Sequence, residues 1–166
     1  VPDPSELLAT ADLLCVGHAP PTNADLRRAV LRAHYALFHQ LIRAAVERFI
    51  GLAQEHTAAY ALLYRSFDHA RMKEVCKNLD KEMLGEAFRR QLNRQSVSPG
   101  MRVVAKVFPE LQALRHKADY DPTAMFDQSD VFDIIGSAAS AMDAFKRSTS
   151  QDQTDVMALM MVRMRL

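Results

Sequence analysis

The stretch from Ala24 to about Leu52 constrains this chain most. Leu31, Tyr35, Phe38, Ile42, Ala45 and Phe49 recur in it at steps of three and four, the period of one helix face. Thr22 or Asn23 stands ahead of it as an N-cap. The pattern predicts a long central helix. Further helical signals surround it. Ser5 to Val16 reads as a short helix, followed by a Gly- and Pro-bearing loop from Gly17 to Pro21. Ala58 to Phe67 is apolar, Asp68 can cap His69 to Leu79, and Glu82 to Leu92 reads as another turn or more. Ser98 followed by Pro99 is an N-cap with proline at the first helical position, opening a segment that ends before Pro122. Pro109 lies inside that segment and predicts a kink or a break. Asp127, Ser129 or Asp130 can cap a last long helix to about Arg147. The most strand-like run, Met101 to Phe108, is equally compatible with a helix. The expected fold is all-α, an up-and-down helical bundle of four to five main helices.

Composition sets the frame for that bundle. A chain of 166 residues, 49% apolar and 25% charged, is expected to form a single globular domain over 1–166 without a disulfide or metal staple. The core bundle falls at about 24–147. A Met-rich tail at 150–166 is expected to cap its own bundle rather than a second copy. The apolar runs fall short of the roughly 20 residues a membrane span requires, which rules out membrane insertion, and no membrane partner is expected. Cys15 and Cys76 form no CxxC motif. With no basic-then-apolar leader before a cleavage site, reduced thiols and a cytoplasmic location are expected.

The net charge of +1 hides an uneven distribution. Residues 1–26 hold four acids and no Lys or Arg, residues 27–117 hold 17 basic against 8 acidic residues, and residues 118–166 hold 4 against 8. A basic centre is the footprint of a phosphate or nucleic-acid partner, and equally what acidic flanks folded over it would neutralise.

On a wheel of about 100° per residue, Val30, Leu31, Tyr35, Leu37, Phe38, Leu41, Ile42 and Phe49 form one broad apolar face. Arg28, Arg32, His39 and Arg43 fall within about 60° of one another on another side. Guanidinium can hold a phosphate in two-point contact, and imidazole can exchange a proton near neutral pH. Arg32 and His39 are therefore the candidate catalytic pair for metal-free phosphodiester cleavage, with Arg28 and Arg43 as phosphate-binding residues. The alternative is a solvated face with an incidental histidine. His34 falls inside the apolar face and reads as a buried neutral core residue. The remaining histidines do not pair at i, i+4 and no Glu-x-x-His repeats occur, so neither a metal site nor another cofactor is expected.

The stretch Leu26-Arg-Arg-Ala-Val-Leu-Arg-Ala-His-Tyr-Ala-Leu-Phe-His39 resembles the opening of the helical HEPN superfamily, in the branch with a pattern close to R-x-A-Y-Y-A-x-F-H. Leu114-Arg-His-Lys-Ala-Asp-Tyr-Asp-Pro122 is similar to the R-x-x-A-D-Y motif on a later helix of that branch. The resemblance implies a bundle of four or five helices, commonly a homodimer, that binds nucleotide or RNA. Many members are metal-independent ribonucleases or toxins of toxin–antitoxin pairs, acting through an R-x4-6-H motif, which Arg32 and His39 match here. On the later motif, Arg115 would contact phosphate, Asp119 orient it and Tyr120 pack on the ligand, unless Arg115 and Asp119 are a plain i, i+4 salt bridge. Tyr35 is expected to fill the core rather than stack on a base. Three functions follow as expectations. They are a nucleotide- or RNA-binding regulatory module with an antitoxin or nucleotidyltransferase-type partner protein, a metal-independent endoribonuclease, and a helical dimerisation or protein-interaction module.

Overall fold

The computed structural model describes residues 2–17 and 20–162. Among them the chain is all-α and bundle-like, with no strand. In order the helices are α1 (Pro4–Val16), α2 (Asn23–Phe49), α3 (Ala58–Arg65), α4 (His69–Leu79), α5 (Glu86–Leu92), α6 (Pro99–Tyr120), α7 (Gln128–Arg147) and α8 (Ser150–Met161), with a 3-10 turn at Leu52–Gln54. The Met101 to Phe108 run lies within α6.

Local chemistry explains where most of these begin. A helix leaves its first N–H groups without intrahelical acceptors, and a short polar side chain just ahead of it supplies one. The Asp3 carboxylate accepts from the Ser5 and Glu6 N–H groups at 2.8 and 3.3 Å. Thr22 and Asp25 serve each other at the start of α2. The Asp25 N–H donates to Thr22 Oγ1 at 3.2 Å and the Thr22 N–H donates to Asp25 Oδ2 at 3.1 Å, an aspartate version of the capping box. Thr57, Asp68, Ser98 and Thr149 cap α3, α4, α6 and α8 in the same manner.

Three boundaries differ from the sequence expectation. The central helix stops at Phe49 rather than Leu52, because Gly51 adopts φ 97°, a conformation that glycine takes without steric cost and that ends an α-helix. Residues 82–85 stay outside α5. There the Leu84 N–H donates instead to the Gln95 carbonyl at 2.9 Å, and the Leu84 side chain is buried. Finally, α6 runs through Pro109 without a break. A mid-helix proline costs about 3 kcal/mol, and burial of Phe108 and Leu111 on either side of it contributes roughly 1.5–3 kcal/mol each.

The chain divides into two compact units, Val1–Gln40 with Val107–Asp143, and Leu41–Lys106 with Ala144–Leu166. The core residues of the first include Ala11, Val30, Leu37, Phe108, Leu111, Val131 and Ile135. Those of the second include Ile42, Tyr60, Met72, Leu79, Met101, Met157 and Met160. In this second unit α8 lies against α4, and Val156, Met157, Leu159 and Met160 of α8 are buried. The Met-rich tail thus packs within its own chain over the described residues. Cys15 and Cys76 are both buried free thiols. Burial pushes each thiol up from its ordinary value, with Asp12 and Asp80 respectively adding to the effect, so neither is poised as a nucleophile.

Candidate functional site

The five arginines of α2 separate into two kinds once their surroundings are known. Arg27 caps the end of α6. Its Nε donates to the Ala118 carbonyl at 2.8 Å, its Nη2 to the Asp121 carbonyl at 2.8 Å and its Nη1 to the Ala124 carbonyl at 3.4 Å. A cation at the carbonyl end of a helix also meets the negative end of the helix dipole. Asn23 completes the tie, donating to the Ala124 carbonyl at 3.0 Å and accepting from the Phe126 N–H at 3.1 Å. In the other unit, Arg48 bonds Ser150, Gln153 and Thr154, and Arg43 pairs with Glu47 at 2.6 Å.

Arg28 and Arg32 differ. Both are exposed, and neither takes part in an ion pair or a side-chain hydrogen bond among the described residues. They line a cleft of about 450 Å³ together with Thr10 and Leu14 of α1 and Leu31 and Tyr35 of α2. The volume lies within the range of small-ligand sites. One side of the cleft therefore carries two guanidiniums with open donor positions, and Leu14, Leu31 and the Tyr35 ring supply an apolar surface beside them.

Tyr35 connects this cleft to the later motif. Instead of filling the core it is half-buried, because its hydroxyl reaches a polar partner on α6: Arg115 Nη2 donates to it at 3.1 Å. The same guanidinium lies 5.6 Å from the Tyr35 ring centroid and 5.8 Å from that of Tyr120. Its Nε is ion-paired with Asp119 Oδ2 at 2.8 Å. Tyr120 is 64% exposed, with the His116 ring 4.8 Å away. On the other flank, the His39 imidazole is stacked on the Tyr35 ring at 5.9 Å and 25°. His34 is fully buried, as its position on the apolar face predicts, among the rings of Tyr35, Phe38 and Phe108.

The placement of the sequence candidates is therefore uneven. Arg28 and Arg32 line the cleft directly. His39 and Arg115 reach it through Tyr35, and Asp119 and Tyr120 reach it through Arg115. Arg43 belongs to the second unit and its guanidinium is turned to Glu47, four residues on. The sequence gives no role to Arg27 and only a capping role to Asn23, whose side chains fasten the start of α2 to the segment after α6. It also leaves unmarked Thr10 and Leu14, the α1 contribution to the cleft. The adjacent Arg27 and Arg28 offered no sequence signal to tell the cap from the free cation.

No family model, no curated protein and no solved structure matches this chain. No helix among the described residues is long and apolar enough to cross a membrane.

Proposed function

We propose that this chain is an HEPN-like module that binds a phosphate-bearing ligand, a nucleotide or RNA, in the cleft between α1 and α2. The observation that carries the reading is the pair of exposed guanidiniums, Arg28 and Arg32, beside the Tyr35 ring in a cleft of nucleotide scale. Guanidinium is suited to two-point contact with phosphate oxygens, and an aromatic side chain at the same cleft offers a surface for a base to pack against. The joining of the two HEPN-like stretches by the Arg115 to Tyr35 hydrogen bond supports the resemblance, since residues 80 positions apart converge at one ring. A regulatory or toxin–antitoxin setting, a homodimer, an antitoxin or nucleotidyltransferase-type partner and a cytoplasmic location belong to the same proposal.

Fluorescence polarisation with a fluorescein-labelled mixed-sequence single-stranded RNA, and with a methylanthraniloyl adenine nucleotide, tests it. Wild-type protein should bind at least one probe, and affinity should fall as salt rises because bound counterions are released. Arg28→Glu with Arg32→Glu should abolish binding while leaving the far-UV circular dichroism spectrum unchanged. Binding that survives the double substitution would remove the cleft from the reading.

A second reading is favoured by one contact, the stacking of His39 on Tyr35. It is metal-independent ribonuclease activity, in which His39 takes the proton from a ribose 2′-hydroxyl and Arg32 stabilises the charge on the phosphate. Incubation with RNA in EDTA should then give cleavage by the wild type and none by His39→Ala.

A further inference from the structure

We infer that Arg115 is a positioning residue for the cleft: it fixes the Tyr35 ring as the aromatic wall against which the ligand packs, and makes no phosphate contact of its own. The inference rests on the binding function proposed above and assigns a division of labour within it. Four observations support it. First, the lining of the cleft contains Tyr35 but not Arg115. Second, Arg115 already has an anion, since Asp119 Oδ2 lies 2.8 Å from its Nε; a guanidinium so paired attracts a phosphate far less than Arg28 or Arg32 does. Third, its Nη2 donates to the Tyr35 hydroxyl at 3.1 Å, while the same group lies 5.6 Å from the Tyr35 ring centroid. The ring is thus held at its polar tip by a hydrogen bond and on its surface by a cation–π contact. Fourth, the Arg115 and Asp119 side chains are 21% and 23% exposed, so solvent competes less with these contacts than it does on an open surface.

The geometry has a chemical consequence. A tyrosine on a cleft wall turns about two side-chain torsions, and a base that packs against it has to stop that motion. A ring already anchored at its hydroxyl has lost the motion before the ligand arrives, which raises affinity without a new ligand contact. Asp119 serves the same end one step back. It orients the guanidinium, so its carboxylate can stand near an anion site while its charge is answered by Arg115.

Salt dependence separates a positioning residue from a phosphate ligand. Each phosphate contact with a single strand contributes about 0.7 to the slope of log affinity against log salt. With the labelled RNA, Arg28→Gln and Arg32→Gln should each lower that slope, and with the methylanthraniloyl nucleotide each should weaken binding. Arg115→Gln should weaken binding about threefold to tenfold and leave the slope at the wild-type value. Tyr35→Phe, which keeps the ring and removes the acceptor, should weaken binding to a similar degree, and adding Arg115→Gln to it should cause little further loss. Asp119→Asn, which removes the acid that orients the guanidinium, serves as the second variant, read by the Tyr35 fluorine signal, if Arg115→Gln does not fold.

A ligand-free measurement accompanies these. The chain has four tyrosines, and in protein carrying 3-fluorotyrosine the fluorine signal lost in Tyr35→Phe identifies Tyr35. Arg115→Gln and Asp119→Asn should each shift that signal, reporting a freed ring. A slope that falls in Arg115→Gln as it does in Arg28→Gln overturns the inference, because Arg115 is then a direct phosphate ligand. So does a Tyr35 signal that stays put in both variants, or losses from Tyr35→Phe and Arg115→Gln that multiply in full. A wild-type chain that holds neither probe overturns the binding function, and the inference with it. Binding by the wild type with an unmoved Tyr35 signal overturns the inference alone.

Discussion

Each unit of this protein contains an arginine held by an aspartate, and the two pairs do different things. In the first unit Arg115 and Asp119 belong to the same helix and their side chains are 21% and 23% exposed. In the second, Arg94 is joined to Asp152 at 2.5 Å, and the Asp152 side chain is only 2% exposed. Asp152 also accepts the Ser98 N–H at 2.9 Å, and Arg94 reaches Asp155 at 3.3 Å. That cluster fastens the segment between α5 and α6 to the first turn of α8. The comparison teaches that the chemistry of a charge pair does not set its role; burial and the number of outside partners do. A carboxylate with both oxygens committed and almost no exposed surface is a structural fastening. A half-exposed pair with its free donors on a cleft-lining tyrosine is an adjustable support.

The sharpest way to break the comparison is to remove the buried acid. Asp152→Ala leaves Arg94 and the Ser98 N–H without their main acceptor and should destabilise the protein by about 3–5 kcal/mol, read as a lowered midpoint in urea. If its effect is no larger than that of Asp119→Ala, the contrast between the pairs is wrong. The acid limb of the stability curve sharpens the same point. Burial pushes the Asp152 carboxyl up, but the hydrogen bonds from Ser98 and the Arg94 charge outweigh it, and the group is held below its ordinary value of 3.8. A depressed carboxylate contributes stability that is fully present above the ordinary value and is lost as the pH falls below 3.8 through the folded-state value. Urea midpoints measured from pH 5 downward should fall in that window for the wild type and show a shallower fall in Asp152→Ala.

Arg27→Gln should be the next largest effect, about 2 kcal/mol, because one guanidinium serves three carbonyls at the end of α6. Thermal unfolding reads it directly. Its neighbour supplies the control. Arg28→Gln and Arg32→Gln, singly, should leave stability within about 0.5 kcal/mol while weakening the RNA or nucleotide probe, so the two adjacent arginines give opposite results in the two assays. The smallest effect expected is that of Arg43→Gln. It removes a half-exposed i, i+4 pair worth about 0.3–0.5 kcal/mol, and it should leave probe binding unchanged.

Much of the architecture was legible before any coordinates. Asp68 predicted the start of α4 and Ser98-Pro99 the start of α6 because an N-cap acts on N–H groups two or three residues away, well inside a sequence window. The long α2 helix and the burial of His34 followed from the period of three and four. The candidate site was legible only in part. The sequence marks Arg28, Arg32 and the Arg115 motif, but its period of three and four places Tyr35, the residue that joins them, on the core face. Its hydroxyl partner lies 80 residues away on α6, and no local pattern records that. Arg43 shows the reverse failure. The wheel put it in line with Arg28 and Arg32, and Glu47, four residues on, claimed it.

What the sequence by itself determined is the set of helices, most of their first residues and the apolar face that α2 buries. These depend on contacts within about four residues and on a period that the backbone geometry imposes. Only the tertiary structure decided what Arg27 and Arg28 do. Arg27 and Arg28 are equal in the sequence, and one is absorbed by the carbonyls after α6 while the other stands open at the cleft. Asp119 and Asp152 each stand in a polar stretch with a second aspartate two or three residues on, and one holds the arginine that bonds Tyr35 while the other fastens α8. The physical reason is that a charged side chain takes its role from the nearest unsatisfied partner, and that partner is brought near by helix docking across a hundred residues of chain.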